Sequence, residues 1–152
     1  MTTKGINLRP AVATDLNAIR EIAEAAYAPY VAAIGRKPAP MVADFAALIL
    51  DEVVTVAEDA GLVGFAVCLP KADHIFLENV AVHPCQAGRG IGRALIDHIE
   101  NEARRAGLPT IRLYTNAKMT ANLTLYPRLG YVQTERRMED GFDRVFFEKR
   151  LG

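Results

Sequence analysis

Residues 77–92 read LENVAVHPCQAGRGIG, and the fold turns on how that stretch is parsed. From His74 to Val82 the chain is apolar almost without break (Ile75, Phe76, Leu77, Val80, Ala81, Val82). That is the pattern of a strand covered on both faces. Pro84 marks its exit, and Gly88, Gly90 and Gly92 then leave three alternate positions without side chains. Gly90 or Ile91 opens a helix running to about Ala106, with Leu95, Ile96, Ile99 and Ala103 inward. Gly107 suits its C-terminal cap and Pro109 prevents its continuation. Thr110–Thr115, TIRLYT, is the next strand. A strand–helix–strand crossover of this kind sets its two strands parallel and right-handed.

Upstream, Ile6 and Leu8 read as a short strand that Pro10 stops. Thr14 or Asp15 can cap a helix whose apolar face is Leu16, Ile19, Ile22, Ala23 and Ala26. Pro29, Pro38 and Pro40 break regularity after Tyr27, and a second short helix is expected over Met41–Leu50. Val53–Ala57 and Leu62–Leu69 form a hairpin around Glu58–Gly61. Downstream, Ala121–Arg128 is a short helix ended by Gly130. Tyr131–Met138 and Phe142–Lys149 form a second hairpin, with Asp140-Gly141 as its turn. The expected architecture is α/β, an α+β mixed sheet of about six to seven strands with flanking helices, in one domain over residues 1–152.

Composition narrows the function. The 18 basic and 18 acidic residues cancel to a formal charge of zero, which argues against nucleic acid as a partner because such binding needs a basic excess. Cys68 and Cys85 share no metal-ligand spacing, so no metal is expected. His74, His83 and His98 are scattered and read as structural. No window approaches ~20 uninterrupted apolar residues, and the first residues lack a signal-peptide layout. No membrane partner and a cytoplasmic location are therefore expected.

Three features carry chemistry. The glycines of the Ala87–Gly92 loop let backbone N–H groups curl toward one point at a helix N-terminus, a way to hold a pyrophosphate; a tight strand-to-helix turn would need the same glycines. Arg89 and Arg93 can add charge from outside. An ATP-type loop would end Gly-Lys-Ser/Thr, but Gly92-Arg93-Ala94 stands here; a dinucleotide fingerprint would need glycine at position 93. Glu78 places a carboxylate in apolar surroundings, where burial would raise its pKa toward that of a general base, or where an edge or an arginine would accommodate it. Tyr126 can give its proton to a leaving thiolate, the phenol (~10) and thiol (~8.5) pKa values being close enough, or it can plug the core beneath its helix.

These residues resemble the GNAT superfamily of N-acetyltransferases over the whole chain, most specifically in ENVAVHPCQAGRGIGRALI, LYTN and ANLTLYPRLGY. The family loop is Gln/Arg-x-x-Gly-x-Gly/Ala. Gly90 and Gly92 match it, while Ala87 stands where Gln or Arg is usual, with Gln86 one place early. The resemblance implies that acetyl-CoA lies in a splay between the strand of Val80, Ala81 and Val82 and the strand ending at Thr115. Backbone groups of Val80 and Val82 would pair with the pantetheine, and Ala87, Gly88, Arg89, Gly90, Ile91, Gly92 and Arg93 would hold the pyrophosphate. Asn116 would contact the pantetheine. It further implies direct attack by a primary amine, with Glu78 as base through a water, the N–H near Val80 polarising the carbonyl, and Tyr126 as acid. The acceptor, a small-molecule or peptide amine, would meet the segment from Tyr27 to Asp44, where Tyr30, Met41 and Asp44 are candidate wall residues. An acidic group among aromatics suits a small cationic amine. The alternative is a non-catalytic CoA-binding or sensing module on the same fold. Exposed strand edges leave room for a homodimer.

Overall fold

The computed structural model describes residues 5–152. Its strands are β1 (Asn7–Pro10), β2 (Val54–Glu58), β3 (Leu62–Pro70), β4 (Ile75–Val82), β5 (Thr110–Asn116), β6 (Val132–Glu139) and β7 (Phe142–Arg150). Its helices are α1 (Leu16–Ile34), α2 (Phe45–Leu50), α3 (Ile91–Arg105) and α4 (Thr120–Arg128). The seven strands make one mixed sheet in the order β1-β2-β3-β4-β5-β7-β6. β4 and β5 are its parallel pair, as the crossover through α3 requires, and every other neighbour pair is antiparallel.

Each face of the sheet is covered by its own apolar layer. Ile91, Leu95, Ile96, Ile99 and Ala103 of α3, with Tyr126 of α4, pack on Ile75, Leu77, Ile111, Leu113, Val145 and Phe147. On the other face Ile19, Ile22, Ala23 and Tyr27 of α1, with Phe45 and Ile49 of α2, pack on Val54, Val56, Phe65 and Val67. Gly64 permits a close approach between sheet and helix. A Cβ there would stand 2.9 Å from the Ala81 carbonyl oxygen and 3.2 Å from Ile91 Cγ2.

Two local expectations give way. α1 runs through Pro29 to Ile34 rather than breaking near Tyr27. Proline inside a helix removes one backbone bond, but Tyr30, Val31 and Ile34 beyond it still pack on the α1-side layer. Gly35, at φ 91°, ends the helix with its N–H on the Val31 carbonyl at 2.8 Å. The expected helix over Met41–Leu50 is split. A 3-10 turn at Ala39–Met41 follows Pro38, and α2 starts only at Phe45 because Asp44 caps it, accepting the Ala47 N–H at 3.2 Å. Asp140 and Gly141 take φ of 54° and 79°, as the two-residue turn of a right-twisted hairpin requires. Among the described residues, no helix is long and apolar enough to cross a membrane.

Candidate active site

β4 and β5 pair only over Ile75↔Ile111, Phe76↔Arg112 and Leu77↔Leu113. Beyond Leu77 they part, and a cavity opens between Glu78, Asn79 and Val80 on one side and Tyr114, Thr115 and Asn116 on the other. Its empty volume is about 540 Å³, the open mouth included.

A bulge sets what β4 shows to this gap. Along β3, Val67 faces Asn79 but Cys68 faces Leu77, so Glu78 is the extra residue. The slip reverses which side chains face which layer. Ile75 and Leu77 pack with α3. After Glu78 it is Val80 and Val82 that pack on that side, while Ala81 joins the α1 layer. Glu78, half-buried, lines the cavity.

The backbone of β4 can be assigned in the same way. The His83 N–H donates to the Val63 carbonyl at 2.9 Å, so the backbone groups of the alternate residues Ala81 and Asn79 also turn toward β3. Those of Val80 and Val82 turn toward the gap, where the Val80 carbonyl accepts from the Tyr27 hydroxyl at 3.2 Å. Ala81 therefore spends its backbone on β3 and its side chain in the core, 4 % exposed.

Tyr126 enters from α4 on the other side. Its ring sits 5.7 Å from Tyr131 and 5.8 Å from Phe147, and burial pushes its pKa up to about 12. Among the described residues the Tyr126 hydroxyl makes no hydrogen bond, and no fully buried side-chain oxygen lacks a partner, so the hydroxyl keeps some accessible surface on a residue that lines the cavity. Tyr131 behind it is anchored by its O–H donating to Glu100 Oε2 at 2.8 Å, and Lys149 Nζ donates to the same carboxylate at 3.0 Å. At the end of β5, Asn116 lines the cavity and holds the following turn, its Oδ1 accepting the Lys118 N–H at 2.9 Å.

The glycine loop follows β4. Gly88 and Gly90 take φ of 83° and 78°, and Gly90 is the N-cap of α3. Helix geometry leaves the N–H groups of Ile91, Gly92 and Arg93 without intrahelical acceptors. The first bond of the helix runs from the Ala94 N–H to the Gly90 carbonyl. The Ile91 side chain is core, 2 % exposed, so only its backbone is available to the loop. A Cβ on Gly88 would meet nothing within 4 Å, so the space beside Gly88 is open. Arg89 is already engaged, with Nη2 on Asp59 at 2.7 Å and Nη1 on Gln86 at 2.6 Å. Gln86 thus braces the loop beside Ala87.

The three candidate wall residues lie elsewhere than in this cavity. Asp44 caps α2, Met41 is core at 6 % exposure, and Tyr30 packs on the α1-side layer; none of the three lines the cavity. The cavity is lined instead by Tyr27, Pro38, Ala39 and Pro40, together with Tyr114, Phe142 and Arg144. Asn79, 4 % exposed, joins strand to wall: its Nδ2 donates to the Pro40 carbonyl at 2.9 Å and its Oδ1 accepts from Tyr27 at 2.6 Å. Two signals in the sequence pointed here. Asn79 is a second polar residue in an apolar strand, and Phe142, Arg144 and Phe146 alternate on one face of β7.

A family model described as an acetyltransferase (GNAT) domain matches residues 50–133. The chain belongs to this family. The ribosomal protein bS18-alanine N-acetyltransferase of Escherichia coli is 32% identical over 76 residues, which is 50% of this chain and 51% of that protein. The mycothiol acetyltransferase of Jonesia denitrificans is 33% identical over 91 residues, 59% of this chain and 29% of that one. The chain thus matches these curated relatives over about half of their length or less. Among solved structures, the PaiA N-acetyltransferase of Thermoplasma acidophilum in complex with coenzyme A aligns with a TM-score of 0.77 at 19% identity, covering 99% of each chain. The Escherichia coli S18-alanine N-acetyltransferase aligns at 0.73 and 23%, covering 97% of this chain and 94% of that one. At those identities the likeness establishes the fold.

Proposed function

We propose that residues 1–152 act as one domain that transfers an acetyl group from acetyl-CoA to a primary amine by direct attack. The observation that carries this reading is the parting of β4 and β5 after Leu77, with Glu78 and Tyr126 both lining the opening. Bound acetyl-CoA supplies the acyl group as an activated thioester. Val80 and Val82 offer its arm the backbone groups they direct into the gap, and Asn116 adds a polar contact. The loop from Ala87 to Arg93 takes the pyrophosphate on backbone N–H groups at the start of α3, where the helix dipole favours an anion. Because the contact is made by backbone, Ala87 can stand where a long polar side chain is usual. The N–H of Val80 polarises the reacting carbonyl. Glu78 accepts the proton that the amine loses, through a water. Tyr126 keeps its phenolic proton at neutral pH, since burial holds its pKa near 12, and delivers it to the sulfur as the thiolate leaves.

A thiol-release screen of amines, peptide N-termini and aminoglycosides tests the reading. Among peptides, an N-terminal alanine is the first choice, since relatives are named for that acceptor. Release that depends on both acetyl-CoA and acceptor supports the enzyme. Tight CoA binding without turnover across the screen would favour the non-catalytic module instead.

A further inference from the structure

The acceptor wall contains one feature that acetyl transfer alone does not require. Arg144 is the one cation among the described residues lining the cavity, and it is 6 % exposed. It sits on β7 opposite Asn116 of β5. Its guanidinium carbon lies 4.2 Å from the centre of the Tyr114 ring and 5.4 Å from that of Phe142, so two aromatic faces hold its plane.

Its hydrogen bonding is one-sided. Nη1 donates to Glu139 Oε1 at 2.6 Å and lies 3.5 Å from Asp140 Oδ2. Nε and Nη2 have no partner among the described residues. No fully buried side-chain nitrogen there is left unpartnered, so both keep accessible surface on a residue that lines the cavity. Both ion pairs of Arg144, with Glu139 and with Asp140, are made through Nη1, and Glu139 Oε2 also accepts from Arg137 Nη2 at 2.9 Å. On a guanidinium 6 % exposed, two donors without a protein partner are available to a ligand anion. The Nε–Nη2 edge is the fork that takes a carboxylate through two parallel hydrogen bonds.

The geometry points to an acceptor that carries a carboxylate as well as its amine, with Arg144 as the residue that reads it. The amine is turned to Glu78 and the carboxylate to Arg144, across the wall formed by Tyr27, Tyr114 and Phe142. The inference rests on the acetyl-transfer reading and narrows it. Acceptors whose second charge is positive would meet Arg144 and are disfavoured.

The test compares matched acceptors: free L-amino acids against their α-amides, and peptides with Glu against Gln at the second position. The first pair reports a free α-carboxylate, the second a side-chain one. Wild-type kcat/KM should favour one acid over its neutral partner by at least ~10-fold, a preference that should shrink to within about twofold in Arg144→Gln and survive in part in Arg144→Lys. Equal rates for acids and neutral partners in the wild type would overturn the inference and leave acetyl transfer standing. Absence of thiol release from every acceptor would overturn acetyl transfer instead. In that event saturation-transfer NMR of N-acetyl amino acids against N-acetyl amino amides, on the CoA-loaded wild type, still decides the carboxylate preference, and equal binding refutes it. The wild-type ratios stand even if Arg144→Gln does not fold.

Discussion

The Tyr27 hydroxyl donates to Asn79 Oδ1 at 2.6 Å, and the same asparagine donates through Nδ2 to the Pro40 carbonyl at 2.9 Å. One side chain therefore ties α1, β4 and the proline-rich wall together beside the bulge at Glu78. Asn79→Ala would leave the Tyr27 hydroxyl with only the Val80 carbonyl and free the Pro40 carbonyl. The loss should be about 1–3 kcal/mol of stability by urea unfolding. The KM for the acceptor should rise more than that for acetyl-CoA. An unaltered acceptor KM would mean that the wall does not depend on this anchor.

Gly64→Ala tests the contact beneath the glycine loop. The new Cβ would stand 2.9 Å from a backbone oxygen of β4 and 3.2 Å from Ile91, the first residue of α3. Strand and helix would have to separate, at a cost of about 1–3 kcal/mol. Because the loop lies between those two elements, the KM for acetyl-CoA should rise as well. Full stability and an unchanged KM together would show that the packing yields easily.

Acid unfolding should report on Asp15. The Arg9 guanidinium, 2.8 Å away, holds the Asp15 carboxyl below the usual carboxylate range, and the Val12 N–H adds to the effect. A depressed acid contributes stability above its unfolded value of ~3.9 and loses that stability as pH falls through the folded value. Asp15→Asn should therefore cost about 1–3 kcal/mol at neutral pH. Its deficit against wild type should shrink below about pH 4. A deficit that is the same in acid would assign the effect to packing.

The Tyr126 phenol should leave no mark on the pH profile in the ordinary alkaline range. It donates only while protonated, and with a pKa near 12 it stays so until pH rises toward that value. The kcat profile should show no falling limb up to about pH 10 that Tyr126→Phe removes. A limb near the ordinary phenol value of ~10 that disappears in the variant would contradict the burial seen here.

How much of this was legible in the sequence depends on the range of the interaction. The unit β4–loop–α3–β5 was readable because its signals are local: an apolar strand, three spaced glycines, a helical stripe and a terminal glycine. The hairpin turn at Asp140-Gly141 was readable for the same reason. The bulge at Glu78 was not, because it exists only relative to β3, and a single strand carries no record of its partner's register. The lining of the cavity was not legible either, because contacts distant in sequence build it. Tyr27 reaches Asn79, and Arg36 stacks on Phe142 at 3.7 Å. Asp44 looked available as an acidic group among aromatics, yet its carboxylate is used in capping α2.

The central claim is that chemistry occurs in the gap beside Leu77, with Tyr126 as proton donor. Thiol-release kinetics of Tyr126→Phe, measured alongside its Kd for acetyl-CoA, test it most directly. The ring and its packing against Tyr131 and Phe147 are kept, so binding should stay within about twofold while kcat falls by ~100-fold or more. A kcat equal to that of wild type, with acetyl-CoA still bound, would contradict it.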